Sequence, residues 1–283
     1  MNILTFDVEE WFHILDNDST KQASDWGKYE VRIHNNMDKI FKFVLTNNLK
    51  ATFFIVGWIA QKYPELVKRI DQLGFEIGSH SHMHQLMYEL TPQQVDEDLK
   101  RSVQTLENIT GKKVKSFRAP GFSITKTNKW AFEILIKNGI KYDSSIFPSN
   151  RSHGGFPDFS ESKPSTLIIN GLELKEFPIN TNSFFGHKWI FSGGGYFRLF
   201  PYKLIHDWTK KADYVMTYFH PRDFDVSQPL IKELSLFRRF KSYYGLKSSM
   251  PKLNQWVNDF EFIDLKAAYE KINWDKAPRI NLD

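Results

Sequence analysis

A chain of 283 residues with 41% hydrophobic and 25% charged side chains has the composition of a globular protein, long enough for one barrel-sized domain. Its formal charge of +5 is spread over 38 basic and 33 acidic residues without a dense basic stripe, which argues against a nucleic-acid partner. Cysteine is absent, which excludes disulfides and a thiol nucleophile, and no apolar run reaches the ~20 residues of a membrane-crossing helix. The start, Met1 to Asp7, lacks a basic region and meets an acid too early for an export signal, so a cytoplasmic location is expected.

Ile3 to Val8 reads as a buried strand that ends in acids, followed by a polar loop over 13–32 and a helix around 35–47 with Met37, Ile40, Phe41 and Val44 at helical spacing. Ala51 to Val56 is a second buried strand, closed by Gly57. Pro64 opens a helix that Gly74 stops, and Phe75 to Gly78 is the third strand, with His80 just past its end. Thr91-Pro92-Gln93-Gln94 is a helix start, with Thr91 as N-cap, proline in the first turn and Gln94 closing a capping box; that helix should run to about Ile109, before Gly111.

Val114 to Phe117 then delivers Arg118-Ala119-Pro120-Gly121. A helix through Trp130 and Leu135 ends at Asn138-Gly139, and Ile140 to Tyr142 yields Asp143-Ser144-Ser145. Residues 149–165 are rich in Ser, Gly and Pro, and the stretch near 149–200 is expected to be a surface excursion. Leu174 to Phe177, Tyr214 to Phe219 and Phe260 to Ile263 read as further strands, with His220-Pro221-Arg222-Asp223 after the second. Alternating strands and helices imply a parallel α/β sheet. About eight units, with no internal repeat, favour a barrel or distorted barrel in a single domain over 1–283.

His80 and His84, four apart, can present both imidazoles to one metal ion, on a helical turn or a tight loop. A catalytic centre needs a third ligand, and the carboxylates of Thr5 to Phe12 are the candidates. Asp7, Glu9, His80, Arg118, Asp143 and His220 each fall at the C-terminal end of a predicted strand, the rim where a parallel barrel gathers catalytic groups.

Thr5-Phe6-Asp7, His80-Ser81-x-x-His84, Arg118-Ala119-Pro120 and Tyr218-Phe219-His220 together resemble the polysaccharide deacetylases of the NodB-homology type. The likeness is greatest to the branch with Phe-Asp-Val-Glu, Tyr-Asp-Ser-Ser and Gly-Gly-Gly-Tyr-Phe-Arg, here at Phe6, Tyr142 and Gly193. The resemblance implies a distorted (β/α) barrel of about seven parallel strands with a C-terminal extension near 221–283. It also implies a divalent metal, commonly zinc, held by one acid with His80 and His84; Asp7 as catalytic base; Arg118 holding that aspartate; and His220 as general acid.

Two departures stand out. The usual pair of adjacent aspartates is missing, because Val8 follows Asp7, so the metal-binding acid is Glu9 or Glu10. Strand alternation puts Asp7 and Glu9 on one face and favours Glu9. The late aspartate-tryptophan motif is also missing, and Asp143 is the substitute expected to orient His220.

Pro120, Gly194, Tyr196 and Trp189 are the expected substrate contacts; Trp11, Trp58 and Trp189 read either as core or as sugar-stacking platforms. The function expected is removal of N-acetyl groups from an amino sugar in a surface glycan or its intracellular precursor. Hydrolysis of a small non-sugar amide, or carbohydrate binding by a vestigial site, are the rivals. The segment Leu230 to Lys247 carries Leu234, Phe237, Phe240 and Tyr244 among Lys and Arg, as a helix that covers a barrel or lies on a membrane surface.

Overall fold

A computed structural model describes residues 1–15, 17, 20–151, 153–184 and 187–283. Its N-terminal part contains β1 (Asn2–Ile3), β2 (Thr5–Val8), α1 (Ile33–Thr46), β3 (Thr52–Ile55), α2 (Gly57–Lys62), α3 (Pro64–Gln72), β4 (Glu76–Ser79), α4 (Pro92–Thr110), β5 (Ser116–Phe117), α5 (Trp130–Lys137) and β6 (Tyr142–Asp143). There follow β7 (Ser165–Ile169), β8 (Leu172–Glu176), β9 (Asn182–Phe184), β10 (His187–Trp189), α6 (Gly194–Leu199), α7 (Tyr202–Lys211) and β11 (Val215–Met216). The chain closes with α8 (Leu236–Tyr243), α9 (Leu246–Asp259), β12 (Phe262–Ile263), α10 (Leu265–Lys271) and β13 (Arg279–Asn281).

The main sheet has eight strands in the order β13-β7-β8-β6-β5-β4-β3-β2, and a second has the order β11-β1-β12. Because β1 runs into β2, and Phe6 on β2 bridges in parallel to Phe219, the two sheets continue into each other. This α/β arrangement with parallel strands is consistent with the distorted barrel expected.

Register explains where the site forms. Val8 is level with Ile55, Ile55 with Ser79, Ser79 with Phe117 and Phe117 with Asp143. The residues that leave these strands, Glu9, His80 and Arg118 among them, therefore emerge along one edge. The row below demands a close fit: a Cβ on Gly78 would lie 2.6 Å from both the Phe54 ring and Ser116 Oγ, so only glycine lets Phe54 sit there.

Helices pack where local chemistry starts and stops them. At the start of α4, Thr91 Oγ1 accepts from Gln94 N at 3.3 Å and Gln94 Oε1 accepts from Thr91 N at 2.9 Å; the helix ends at Gly111, whose φ is +68°. α1 has a different anchor, since Glu10 Oε1 accepts from Arg32 N and Ile33 N, both at 2.8 Å. Phe6 stacks on Phe53 with ring centroids 5.3 Å apart, and fully buried Trp256 of α9 stacks on Phe197 at 5.3 Å. Each such buried side chain contributes about 1.5–3 kcal/mol.

The stretch near 149–200 differs from the surface excursion expected. β7 and β8 form an antiparallel hairpin inside the main sheet, with β8 parallel to β6, and β13 pairs with β7 beyond it. The turn is Asn170-Gly171, both at positive φ (48° and 74°), the pairing that matches the twist of two-residue hairpins. α8 buries none of its residues, so it does not cover the barrel as a core helix would.

Candidate active site

Asp7 lies on β2 and is 2% exposed; Arg118, fully buried after β5, donates from Nη1 to its Oδ1 at 2.8 Å. The same nitrogen donates to Thr5 Oγ1 at 2.7 Å, and Arg118 Nη2 donates to Ser144 Oγ at 2.9 Å. Its guanidinium carbon stands 4.4 Å from the centroid of the Phe54 ring. Tyr142-Asp143-Ser144-Ser145 thus serves as a support: Ser144 holds the guanidinium, and Ser145 Oγ accepts from Ala119 N at 2.8 Å. A fork held on three sides keeps the Asp7 carboxylate oriented and its charge compensated.

Glu9, His80 and His84 are all buried, and each offers a donor atom within 4.8 Å of the others'. His80 and His84 lie in a loop rather than a helix, with Ser81 and His84 at positive φ (61° and 52°) and Ser81 Oγ accepting from His84 N at 3.0 Å. His80 Nδ1 is 2.7 Å from the Arg118 carbonyl, the hydrogen bond that leaves Nε2 as a lone-pair donor. Glu9 Oε2 lies 2.6 Å from His84 Nε2, yet it is a buried oxygen without hydrogen-bond geometry to any partner. A carboxylate and two imidazoles packed this closely suit donors aimed at a shared cation, and one acid with two imidazoles suits zinc. Glu10 is not available, being the cap of α1.

The electrostatics follow from burial and proximity. Burial alone would raise the Glu9 carboxyl, but His84, His220 and His80 draw it far below the usual range. Burial holds His80 neutral, down at about 4, despite the opposing pull of Asp7. His220 behaves oppositely: burial disfavours its charge, yet Glu9, Asp223 and Asp7 outweigh that and push it up to about 9. Its Nε2 stands 3.8 Å from both Asp7 Oδ2 and Glu9 Oε1.

Asp143 does not orient His220. Its carboxylate accepts from Ser145 Oγ at 2.7 Å and Ser145 N at 3.1 Å and is hydrogen-bonded to Glu176, so local partners on its own turn and the next strand absorb it. The partner is Asp223, three residues beyond His220, with Oδ2 3.1 Å from His220 Nδ1 and accepting from His220 N at 2.9 Å. Arg198, from the Gly-Gly-Gly-Tyr-Phe-Arg stretch, donates to Asp223 Oδ1 at 2.6 Å. Against burial, Arg198 and His220 hold Asp223 down at about 2. The sequence carried a signal for this pairing: an acid three residues after a histidine, with proline between, is a one-turn motif.

A cavity of about 550 Å³ opens beside these groups. Gly194 and Tyr196 line it; Pro120 does not, although its neighbours Ala119 and Gly121 do. A Cβ on Gly193 would meet the Tyr218 carbonyl at 2.3 Å, which is why the glycine run can lie against the strand that carries His220. Trp189 does not reach the cavity but packs on Phe200 at 5.8 Å, while Trp11 and Trp58 join a core cluster with Phe12 and Trp26. Sequence reasoning gave His13 no role, yet it lines the cavity and stacks on His84 at 5.6 Å, its Nε2 buried without a partner. His82 turns instead toward Gly57, buried, with both ring nitrogens unbonded.

Residues 4–142 match the family model described as polysaccharide deacetylase, and residues 144–270 match a domain of unknown function, DUF3473. The peptidoglycan deacetylase of Helicobacter pylori is 30% identical over 108 residues, 38% of this chain and 36% of that protein. A peptidoglycan-N-acetylglucosamine deacetylase of Bacillus cereus is 32% identical over 96 residues, 34% of this chain and 35% of that protein. The aligned parts are about a third of the length of these relatives. Among solved structures, one described as a polysaccharide deacetylase from Mycobacterium smegmatis superposes with a TM-score of 0.67 at 15% identity, over 99% of this chain and 92% of that one. The family 4 carbohydrate esterase of Streptomyces lividans does so at 0.50 and 14%, over 93% and 90%. At such identities the likeness is one of fold. The motif-bearing match over residues 4–142 makes that part of the chain a member of the polysaccharide deacetylase family.

Proposed function

We propose that this chain hydrolyses the N-acetyl group of an amino sugar in a glycan or glycan precursor, with Glu9, His80 and His84 holding a divalent ion, zinc by its donor set. The observation that carries the reading is the convergence of that acid-and-two-imidazole group with a guanidinium-held Asp7 and a charged His220 on one cavity. A bound zinc supplies a Lewis acid that acidifies water and polarises a carbonyl. Asp7, oriented by Arg118, takes a proton from the attacking water. His220 then gives its proton to the departing amine, without which the C–N bond would have to expel an amide anion. Asp223 holds the His220 ring in the tautomer and direction this transfer needs.

Glu9, 2.6 Å from His84 Nε2, offers the acid that Val8 withholds, which supports a working enzyme over a vestigial binding site. The test is His80→Ala beside Asp7→Asn, with zinc measured by elemental analysis and acetate release measured on N-acetylated saccharides and small amides. The alanine variant should lose zinc and activity together. The asparagine variant should keep zinc and lose at least about a hundredfold in rate. Undiminished zinc in the first, or near-normal turnover in the second, defeats the assignment.

The mouth of the cavity supports presentation of the saccharide at an anionic lipid surface. Phe237, Phe240 and Tyr244 line the cavity and yet are exposed, Phe237 by 67%, and neighbouring Leu236 is 82% exposed. Residues 230–247 carry five cations against the single acid Glu233, the composition of an interfacial helix. No helix among the described residues is long and apolar enough to cross a membrane. Phe237→Asp should abolish co-sedimentation with vesicles containing anionic lipid; equal binding to purely zwitterionic vesicles, or none by the unaltered chain, would refute this part.

A further inference from the structure

Among the described residues, the charges that line the cavity do not balance. Its carboxylates are Asp7, Glu9 and Asp223, and each is committed: Asp7 to Arg118, Glu9 beside His84 and His220, Asp223 to Arg198 and His220. Its cations include Arg222, Arg151 and Lys241, for which no ion pair occurs among the described residues.

Arg222 is only 9% exposed. Its Nε donates to Gln228 Oε1 at 3.0 Å, while Nη2 is buried with no partner. Burial and the nearby Arg198 cation both weaken its hold on its proton, against which Asp223 and Glu9 act only partly. Arg151 lies 4.4 Å from the Phe147 ring centroid and 4.9 Å from that of Phe122, and its Nη1 is likewise buried and unbonded. A guanidinium desolvated without an anion is costly, and removing it from water is repaid only by a bidentate oxyanion or equivalent hydrogen bonds. Arg222 is such a group, and Arg151, half-buried against aromatic rings with one nitrogen unbonded, lies on the same cavity; together they describe a subsite whose counter-charge a ligand would bring.

We propose that the cavity takes an N-acetylated saccharide that also carries a negative group, a carboxylate or a phosphate, and that Arg222 binds this group, with Arg151 as a second cation of the same subsite. The saccharide half of the statement rests on the deacetylase reading; the anion half rests on the guanidinium groups alone. Chemically, the acceptor is any oxyanion with two coplanar oxygens, so a sugar carboxylate and a sugar-linked phosphate remain to be separated by experiment.

The zinc-loaded full chain would be titrated calorimetrically with three probes: N,N′,N″-triacetylchitotriose (chitotriose below), which is neutral; a hyaluronan tetrasaccharide, which carries carboxylates; and UDP-N-acetylglucosamine, which carries a diphosphate. One charged probe should bind roughly tenfold or more tighter than chitotriose, and Arg222→Gln should erase about that ratio, as loss of a charge-assisted pair does. Arg151→Gln should reduce the ratio less, and it covers the case in which the Arg222 variant fails to fold. Whichever charged probe is preferred identifies carboxylate or phosphate. No preference in the unaltered chain, or a ratio unmoved by both substitutions, overturns the proposal. Acetate release, followed on the same three probes, keeps the two readings apart. Charge-dependent binding through Arg222 without acetate from any probe would sink the hydrolase and leave the subsite, whereas acetate release indifferent to charge would do the reverse.

Discussion

Residues 4–142 and residues 144–270 meet at one cavity but are built for it in different ways. The first region delivers Glu9, His80 and Arg118 from turns that follow parallel strands in a common register, with Asp7 one residue inside, and all of these groups are at least nine-tenths buried. The second delivers His220 and Asp223 from a single short turn, and the His220 side chain is 24% exposed where Asp7 is 2%. It also brings Arg198, Arg222 and the exposed face of α8. A base and an ion-holding group gain from rigidity, whereas a proton donor must reach the leaving group and substrate-contacting groups must meet solvent before they meet a ligand. On the proposed mechanism, the difference teaches that the first region would hold the reaction's fixed charges, while the second would govern proton delivery and what enters.

That division breaks if His220 also supports the ion. His220→Ala should lower acetate release by about 10²–10⁴-fold while zinc content stays at the unaltered level; zinc lost along with activity would merge the two regions into one unit.

A finer cut comes from Asp223→Asn. His220 is held up at about 9 by Glu9, Asp223 and Asp7 against burial, and on the proposed mechanism the protonated ring is the useful form, so activity should persist to alkaline pH and fall as that proton leaves. Without the Asp223 charge the folded value moves toward 6.5. The alkaline limb of kcat/KM should therefore move to lower pH, with a loss of about tenfold per unit of displacement at alkaline pH and much less at pH 6. A limb that stays put would remove Asp223 from the proton-delivery side.

The smallest effect should be that of Asp143→Asn. This carboxyl is held up at about 6, first by burial, next to Glu176. Folded, it keeps its proton to higher pH than when unfolded, so it favours the fold at pH 4 and costs stability as pH rises through about 6. The variant should leave the kcat/KM profile unmoved and flatten the pH dependence of the unfolding free energy, measured by urea titration, by on the order of 1–2 kcal/mol. A displaced kcat/KM limb would instead return Asp143 to the service of His220.

What could be read ahead of the structure follows the same divide. Short apolar runs ending in Asp7, His80 and Arg118 are separated by helices with Thr91-Pro92 and Gly111 signals, so local pattern and tertiary position coincide there. Alternation along one strand sets Glu9 apart from Glu10, whose Oε1 the fold uses to accept from the Arg32 and Ile33 amides at the start of α1. In the second region the determinants are not periodic. β13 is short and owes its existence to pairing with β7, distant in the chain, and the β7–β8 hairpin turns on Asn170-Gly171, a pair that the expected strands did not include. Asp143 looked suitable because a strand end is a good position, but which side chain reaches His220 depends on competing local bonds, and Ser145 and Glu176 win. Aromatic content likewise cannot say which tryptophan meets solvent: Trp189 went to Phe200.

The levelled strand ends carry a further consequence for how this chain tolerates change in length. Each strand residue advances the backbone by about 3.3 Å and reverses the side on which the next side chain projects. One residue added within Thr52–Ile55 or Glu76–Ser79 would push its neighbours out of step and present the wrong face at the rim, disabling the centre even if every chemical group were still encoded. Insertions in the connecting turns leave that alignment alone, so indels in functional descendants of this sequence should be confined to the turns and absent from the strands.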